Sequence, residues 1–171
     1  FGFVKFVRDL IVAERPHYLG VAFDPKGGNF RNELFPDYKA NRSETPEDIV
    51  GAIPYIKEFL EAMCIPTIEV AGYEADDILG TLARMCDEAD AEAYLLTGDR
   101  DSLQLIDPNV HVLLCTNNET VDMNEDAFFA KYGVRSSQFV DVKALMGDGS
   151  DNIPGVPGIG EKTALKLIAE Y

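Results

Sequence analysis

Hydrophobic and polar positions along the chain follow two periods, one typical of helices and one typical of short buried strands. Apolar residues recur every three or four positions in FVKFVRDLIVA, residues 3–13, and predict a helix there. HYLGVAFD (17–24) and PTIEV (66–70) are short β-favouring runs, and each predicts a strand. The polar segment RNELFPDYKANR (31–42) has no clean period, so no regular element is predicted for it.

Two longer helices are predicted in the middle of the chain. SETPED is typical of a helix start, with Thr45 as the cap and Pro46 at the first position, and the helix is expected to kink at Pro54. A second helix is predicted over residues 75–88, after a strand that ends at AG. Its buried side chains are expected to be Ile78, Leu79, Leu82 and Met85.

The second half of the chain continues the alternation of strands and helices. AYLLTGDRD and NVHVLLC predict strands, whereas NEDAFFAKYG and SSQFVDVKALMG predict helices. Strands that alternate with helices indicate an α/β fold, with a largely parallel central sheet flanked by helices.

The composition of the chain is that of an ordinary globular protein and says little more about its function. The chain is 46% hydrophobic and 26% charged, and no apolar run approaches the ~20 residues of a membrane span. Cys64, Cys86 and Cys115 lie far apart, which favours reduced thiols in a cytoplasmic protein over disulfides or metal ligands. His17 and His111 are isolated, and His111 alternates with valines as a strand residue does.

The net charge of −15 argues at first sight against a nucleic-acid partner. Its distribution weakens that objection, because residues 87–126 carry eleven acids and one base. Residues 1–57 carry eight of each sign, and residues 127–171 carry five of each. Two neutral segments that contain Lys and Arg can still present a local phosphate-binding face.

Acidic side chains follow three of the predicted strands, at the points where the strands end. They are Asp24, then Glu74, Asp76 and Asp77, then Asp99 and Asp101. Ligands of open α/β sheets bind at the carboxyl ends of strands, and clustered carboxylates repel unless a hard divalent cation neutralises them. The plainer interpretation of residues 74–77 is the first turn of a helix, where the macrodipole favours anions.

A fourth acidic position lies in the run GDGSDNIPGVPGIGEKTALKLIAEY, where Asp148 and Asp151 are close enough in sequence to face one ion. Behind them the turn at residues 158–160 opens into a helix, whose free N–H groups can hold a phosphate. Lys162 and Lys166 add positive charge without base discrimination. The alternative is an ordinary glycine-rich connection between two helices.

Four blocks of the sequence resemble, in matching order over essentially the whole chain, the 5′-nuclease (5′→3′ exonuclease) domain of bacterial DNA polymerase I, part of the flap endonuclease family. The blocks are FDPKGGNFRNELFPDYKANR, GYEADDILGTLA, LLTGDRDSLQL and KALMGDGSDNIPGVPGIGEKTALKL. The resemblance implies a PIN-like α/β nuclease core over residues 1–146, with a basic arch segment around 26–57. It also implies a metal-ligand loop and a truncated helix-hairpin-helix element over 147–171.

The implied activity is metal-dependent hydrolysis of phosphodiester bonds at 5′ ends, nicks, 5′ flaps and RNA primers, in DNA replication and repair. Two carboxylate clusters would hold two Mg²⁺ ions, for which Mn²⁺ can substitute. The first cluster would be Asp24, Glu74, Asp76 and Asp77. Asp99 and Asp101 would be shared or second-cluster ligands, and Asp148 and Asp151 would complete the second cluster.

The resemblance also gives roles to basic and small residues. Arg31, Lys39 and Arg42 would grip the 5′ strand and offset charge on the phosphate, and together with Asp24 they are the expected catalytic residues. Tyr38 would stack on a base. Without the resemblance, this segment is equally well explained as a solvated loop. The residues expected to contact DNA are Tyr38, Lys39, Arg42, Gly155, Gly158, Gly160, Lys162 and Thr163.

In the family, an N-terminal strand carries a further Asp and is followed by a basic residue, and this chain lacks both. We therefore expect part of a longer protein, joined to a polymerase domain and acting on the bacterial nucleoid in the cytoplasm. Two other functions stay open: a PIN-like ribonuclease and a non-catalytic DNA-binding fragment. The hairpin element speaks against the first, and eight carboxylates speak against the second, because they would repel a polyanion.

Overall fold

The part of the chain that the computed structural model describes, residues 2–116 and 119–171, forms seven α-helices, two short 3₁₀ helices and five strands. The helices are α1 (Gly2–Glu14), α2 (Phe30–Leu34), α3 (Glu47–Ala62), α4 (Ala75–Glu88), α5 (Glu125–Tyr132), α6 (Phe139–Met146) and α7 (Glu161–Glu170). The strands are β1 (Val21–Ala22), β2 (Thr67–Ile68), β3 (Ala93–Thr97), β4 (Val110–Cys115) and β5 (Thr120–Met123).

These elements fall into two units, each with its own small sheet. The first unit comprises Phe1–Asn29 and Ser43–Ile78, and the second comprises Phe30–Arg42 and Leu79–Tyr171. In the first unit β1 pairs with β2 in parallel. In the second unit β3 and β4 are parallel, and β5 is antiparallel to β4. The predicted α/β class with mainly parallel pairing is therefore confirmed.

The core of the first unit lies where α1 and α3 meet the two short strands. Val7 of α1, Leu60 of α3 and Ile65 are buried, and Phe3 and Ile11 pack against them. Residues 3, 7 and 11 are four positions apart, so one face of α1 supplies all three side chains. The predicted helix at residues 3–13 is thus confirmed, with its apolar period turned toward this core.

Helix α3 begins one residue later than the sequence predicted. Pro46, with ψ 137°, occupies the N-cap position, and no side-chain hydrogen bond caps the helix, so the assignment of Thr45 as the cap was wrong. Glu47 and Asp48 lie in the first turn, where negative charge is favoured by the helix dipole. The helix continues through Pro54 to its end at Ala62.

The core of the second unit is larger and combines its sheet with α5 and α6. Leu103, Val112, Phe128 and Val142 are each 0% exposed. The ring of Phe128 meets that of Phe139 edge to face, with centroids 5.3 Å apart. Such aromatic pairs add to the burial of apolar area, so this pair anchors the start of α6 against α5.

Helix α4 has the bounds that the sequence predicted, residues 75–88, but one of its predicted buried residues is wrong. Met85 is 55% exposed, whereas Ala83 is only 3% exposed. Leu79, Ala83 and Cys86 face the core at spacings of four and three, and Met85 lies off that face. The helical period alone predicts that one face of α4 is buried, but it does not show which residues lie at the centre of that face.

Strand β5 was not predicted. Its four residues, TVDM, pair in antiparallel register with β4, Val112 opposite Met123 and Cys115 opposite Thr120. An alternation over four residues is too short to distinguish from a loop, and the strand forms because β4 offers its edge.

Asn124 caps α5, since its side chain accepts a hydrogen bond from the Ala127 amide at 2.9 Å. We expect Asn124→Ala to lower the free energy of unfolding by about 1 kcal/mol, because the amide loses its acceptor. Asn124→Ser, which keeps an acceptor, should stay close to the wild type. Urea denaturation measures both values, and equal stability of the two variants would contradict the capping role.

Other sequence expectations concern isolated side chains. All three cysteines are free, with Cys64 exposed and Cys86 and Cys115 half-buried. His111 lies in β4 as predicted, with its Nδ1 3.0 Å from Asp122 Oδ1. Among the described residues, none of the helices has the length and apolar character needed to cross a lipid bilayer.

Candidate active site

The residues of the predicted first cluster lie at or beside the start of α4 in the first unit, but among the described residues no three acidic, His or Cys side chains form a metal-binding group. Asp24 follows β1 and its Oδ1 accepts a hydrogen bond from the Ala75 amide at 2.7 Å. Asp77 Oδ2 accepts one from the Glu74 amide at 2.9 Å, and Asp76 and Asp77 lie in the first turn of the helix. The helix-terminus interpretation is therefore realised, since carboxylates satisfy N–H groups that have no partner within the helix.

A side chain that the sequence analysis did not single out orients Glu74. Asn29 Nδ2 donates to Glu74 Oε1 at 2.9 Å across 45 residues of sequence. Asn29 lies in the turn PKGGNF, where an asparagine is ordinary, so nothing local pointed to this contact.

The second unit contains a cleft of about 480 Å³ that holds most of the predicted second cluster. Asp99 Oδ1 accepts a hydrogen bond from the Asp101 amide at 2.9 Å, which starts a 3₁₀ turn over Arg100–Leu105 directly after β3. The charged and polar side chains that line the cleft include Asp99, Asp101, Lys143, Asp148, Ser150 and Glu161.

Lys143 of α6 joins two of these carboxylates. Its Nζ lies 2.8 Å from Asp101 Oδ1 and forms a second, shorter ion pair with Asp148 Oδ2. Asp148 Oδ1 in turn accepts hydrogen bonds from the Ser150 amide, at 2.8 Å, and the Ser150 hydroxyl. Lys143 was missed by the sequence analysis, although it is the one charged residue in the run VKALM.

The electrostatics of the cleft follow from burial and from these contacts. Burial raises the pKa of Asp101, although the hydrogen bond from Lys143 opposes the shift. Burial alone would raise the pKa of Asp148, but hydrogen bonds from Lys143 and Ser150 outweigh it and hold that pKa well below its ordinary value. Burial would lower the pKa of Lys143, but its bonds to both carboxylates outweigh it and raise that pKa. Asp148 is thus ionised and Lys143 protonated at neutral pH.

The donor set of the cleft fits a hard divalent cation. Oxygens of Asp101 and Asp148 already share one positive charge, and Mg²⁺ is typically bound by one or two carboxylates together with water. Within residues 2–116 and 119–171, no three Asp, Glu, His or Cys side chains form a ready-made metal-binding group. The fit of the cleft to a cation therefore rests on the oxygens of Asp101 and Asp148.

Asp151, the last of the residues predicted for the second cluster, forms an ion pair and a hydrogen bond with the basic segment. It is 8% exposed and forms an ion pair with Arg42. The Tyr38 hydroxyl donates to Asp151 Oδ2 at 3.3 Å, and Lys39 Nζ lies 4.0 Å from the same oxygen. Three residues of the basic segment, Tyr38, Lys39 and Arg42, thus contact the loop that carries Asp148.

Two residues of that segment are placed in ways that bear on their predicted roles. Tyr38 is only 7% exposed, so stacking on a base requires a rearrangement of the segment. Arg31 lies in α2, with its guanidinium carbon 4.6 Å from the centre of the Phe30 ring. The predicted catalytic role of Arg31 and the stacking role of Tyr38 stay predictions.

The predicted DNA-contacting residues of the C-terminal element lie before and within the first turn of α7. Gly158 has φ +83°, which favours glycine, and Gly160 is the N-cap of the helix. Lys162 and Thr163 are exposed in the first turn. Gly155 differs, because a Cβ there would lie 2.3 Å from the Met146 carbonyl carbon, so its absence of a side chain serves close backbone packing.

An ion pair connects the β3 turn with the same helix. Arg100 contacts Glu161, the first residue of α7, and its Nη2 donates to the Tyr132 hydroxyl at 3.3 Å. Arg100 stands between Asp99 and Asp101 in sequence, yet it points toward α7. No role was predicted for Arg100 from the sequence.

Comparisons with known proteins agree with the sequence motifs. The chain matches the family described as 5′-3′ exonuclease, N-terminal resolvase-like domain, over residues 1–133, and 5′-3′ exonuclease, C-terminal SAM fold, over 134–171. It is 45% identical over 178 residues to DNA polymerase I of Caldicellulosiruptor bescii, covering 100% of this chain and 21% of that protein. For DNA polymerase I of Bacillus caldotenax the values are 43% over 174 residues, 100% and 20%. The chain spans about a fifth of the length of these curated relatives.

Solved structures of a bacteriophage T5 nuclease share the fold. A T5 protein co-crystallised with metal ions has a TM-score of 0.83 at 26% identity, covering 99% of this chain and 67% of that chain. A T5 flap endonuclease complex with DNA and metal ions has a TM-score of 0.81 at 26% identity, covering 99% and 66%. The predicted flap-endonuclease-like fold is confirmed, and the chain belongs to the 5′-3′ exonuclease family.

Proposed function

We propose that this chain is a divalent-metal-dependent nuclease that hydrolyses phosphodiester bonds at 5′ ends and 5′ flaps of DNA. Membership of the 5′-3′ exonuclease family supports the reaction class, and the T5 complex with DNA and metal ions supports the substrate and the metal. The observation that carries the proposal is the cleft in which Asp101 and Asp148 share the Lys143 ammonium. In that arrangement carboxylate oxygens, which are hard ligands, already bind one positive charge. The loop that carries Asp148 also contacts the basic side chains of Lys39 and Arg42.

Two Mg²⁺ ions are proposed, one at each carboxylate cluster. Bound there, such ions would lower the pKa of a water molecule and offset negative charge on the scissile phosphate. The residues proposed to hold the first ion are Asp24, Glu74, Asp76 and Asp77. Those proposed for the second are Asp99, Asp101, Asp148 and Asp151.

The other residues of the chain would bind and orient DNA. Lys39 and Arg42 carry positive charge beside Asp151 and would hold the phosphate of the 5′ strand. The amides at the start of α7 and the exposed Lys162 would hold a phosphate of the duplex. None of these contacts reads a base edge, so we expect recognition of DNA shape rather than sequence.

The relatives support a proposal for the setting of the reaction. They are bacterial DNA polymerases I, so we propose that the nuclease works beside polymerase activity on the nucleoid, in the cytoplasm. Its substrates there would be the 5′ flaps, nicks and RNA primers that DNA synthesis encounters.

Cleavage of a 5′-labelled flap duplex under single-turnover conditions tests the proposal, with a 3′-flap duplex as the matched control substrate. We expect cutting of the 5′ flap in Mg²⁺ only, with none in chelator and none of the 3′ flap. Equal binding with and without Mg²⁺, and no cutting, would indicate a DNA-binding module instead. Preferential cutting of single-stranded RNA would indicate a ribonuclease.

Lys162→Ala should weaken DNA binding to the same extent for all sequences, by roughly three- to tenfold, and reduce the salt slope by about 1. The reason is the loss of one phosphate contact that carries no sequence information. Fluorescence anisotropy at several salt concentrations measures both quantities. Lys131→Ala, an exposed lysine on α5, is the control and should leave them unchanged. An altered sequence preference would mean that this turn reads bases.

A further inference from the structure

Two asparagines form reciprocal hydrogen bonds between the basic segment and the loop that carries Asp148. Asn41 Nδ2 donates to the Gly149 carbonyl oxygen at 2.8 Å, across 108 residues of sequence. Asn152 Nδ2 donates to the Asp37 carbonyl oxygen, also at 2.8 Å, across 115 residues. Each amide thus reaches from its own segment to the backbone of the other, and together they define a clamp between residues 37–42 and 147–152.

The backbone strengthens the clamp. The Lys39 amide donates to the Asp151 carbonyl oxygen at 2.9 Å, between the two asparagine contacts. Lys39 and Asn152 have φ values of +57° and +60°, a left-handed conformation that costs energy for lysine and less for asparagine. Such conformations persist where surrounding contacts determine them, and here those contacts belong to the clamp.

The clamp fixes the charged side chains that the proposed reaction uses. Arg42 meets Asp151 through its Nη2, and its Nε lies 3.4 Å from the Ser150 carbonyl oxygen. Ser150 itself hydrogen-bonds Asp148. Ser150 is thus a common neighbour of the Arg42 guanidinium and of a carboxylate of the cleft. Lysine and arginine side chains have high rotamer entropy. Because the clamp already fixes the backbone, less conformational entropy is lost when these side chains become ordered on a bound substrate.

We infer that Asn41 and Asn152 are positioning residues, which hold Lys39 and Arg42 in register with Asp148 and Asp151 for phosphate cleavage. This inference rests on the proposed nuclease function. The asparagines do not touch the reacting atoms; they act through the basic residues whose backbone they anchor. Their loss should therefore slow the chemical step more than it weakens DNA binding.

The variants are Asn41→Ala and Asn152→Gly, the latter because glycine adopts φ +60° without cost. Asn109→Ala is the matched control, since Asn109 makes a side-chain bond of 3.0 Å to Asp87 in the same unit. The first readout is trypsin cleavage after Lys39 and Arg42, followed by mass spectrometry. We expect roughly five- to tenfold faster cleavage in both variants, the effect of losing one hydrogen bond, and no change in the control.

The second readout is multiple-turnover cleavage of the 5′-flap duplex at varied substrate concentration in saturating Mg²⁺, which gives kcat and KM. We expect kcat to fall roughly tenfold in both variants, with KM within about twofold and a melting temperature lowered by no more than about 4 °C. Faster trypsin cleavage with unchanged kcat would make the clamp merely structural, and unchanged trypsin cleavage would mean that there is no clamp. A rise in KM alone would assign the asparagines to DNA contact, and a rise in kcat would make the clamp inhibitory.

Failure of this inference is distinguishable from failure of the proposed function. A wild-type chain that does not cut flap DNA contradicts the proposed function. A wild-type chain that cuts, with both variants cutting equally fast, contradicts only the positioning role.

Discussion

Asp148→Asn should lower the single-turnover rate of 5′-flap cleavage about a thousandfold, the scale expected when one preorganised electrostatic group is removed. The amide is close in shape to the carboxylate but carries no charge, so the site keeps its volume while it loses a proposed cation ligand. Asp148 is also one of the two carboxylates that hold Lys143, and the substitution leaves that ammonium with Asp101 alone.

DNA affinity, measured by anisotropy in the presence of chelator, should change little in the Asp148→Asn variant, because a lost negative charge does not remove a phosphate contact. Asp141→Asn is the matched control, since Asp141 is an exposed carboxylate on the same helix as Lys143. Undiminished cleavage by the Asp148→Asn variant would remove Asp148 from the proposed ligands.

Gly155→Ala should lower the free energy of unfolding by about 3 kcal/mol or more, at the upper end of the cost of overpacking. A Cβ at this position would lie 2.3 Å from the Met146 carbonyl carbon and 2.5 Å from the Gly147 amide nitrogen. These are backbone atoms, which cannot rotate away as the end of a side chain can. The loop that carries Asp148 would have to separate from the end of α6.

Gly149→Ala provides the control for this prediction within the same loop. An alanine Cβ there would meet no heavy atom within 4 Å, and we expect a change of no more than about 0.5 kcal/mol. Urea denaturation of the two variants measures the difference. Equal stabilities would mean that the approach of Gly155 to Met146 is not a constraint on the fold.

Local sequence features predicted the elements well where one period extends over several turns. Helix α4 was predicted to the residue, because an acidic first turn and an apolar period mark it. The cap of α3 was wrong because Thr45 and Pro46 are both acceptable start residues, and only the backbone angles decide between them. Strand β5 was missed because its pairing with β4, not its composition, makes it a strand.

Some residues of the candidate site could likewise be predicted from local sequence features, and others could not. Acidic residues at strand ends could be recognised from the sequence, since their position after β1 and β3 is a local property. Lys143, Asn41 and Asn152 could not, because their partners are defined by contacts between distant parts of the chain. The burial of Tyr38 against Asp151 is of the same kind, since 113 residues separate them. Composition and spacing carry no information about which distant carboxylate a given base will meet.

Direct measurement of cation binding tests the central claim, that the carboxylate clusters hold divalent ions. Titration of the chain with Mn²⁺, followed by electron paramagnetic resonance, should detect two bound ions. In the Asp101→Asn/Asp148→Asn double variant we expect one of the two sites to be lost, with its affinity lowered at least about tenfold, whereas Asp141→Asn keeps both. A wild-type chain that binds no Mn²⁺, or a double variant that binds both ions as tightly as the wild type, would contradict the assignment of this cleft as a metal centre.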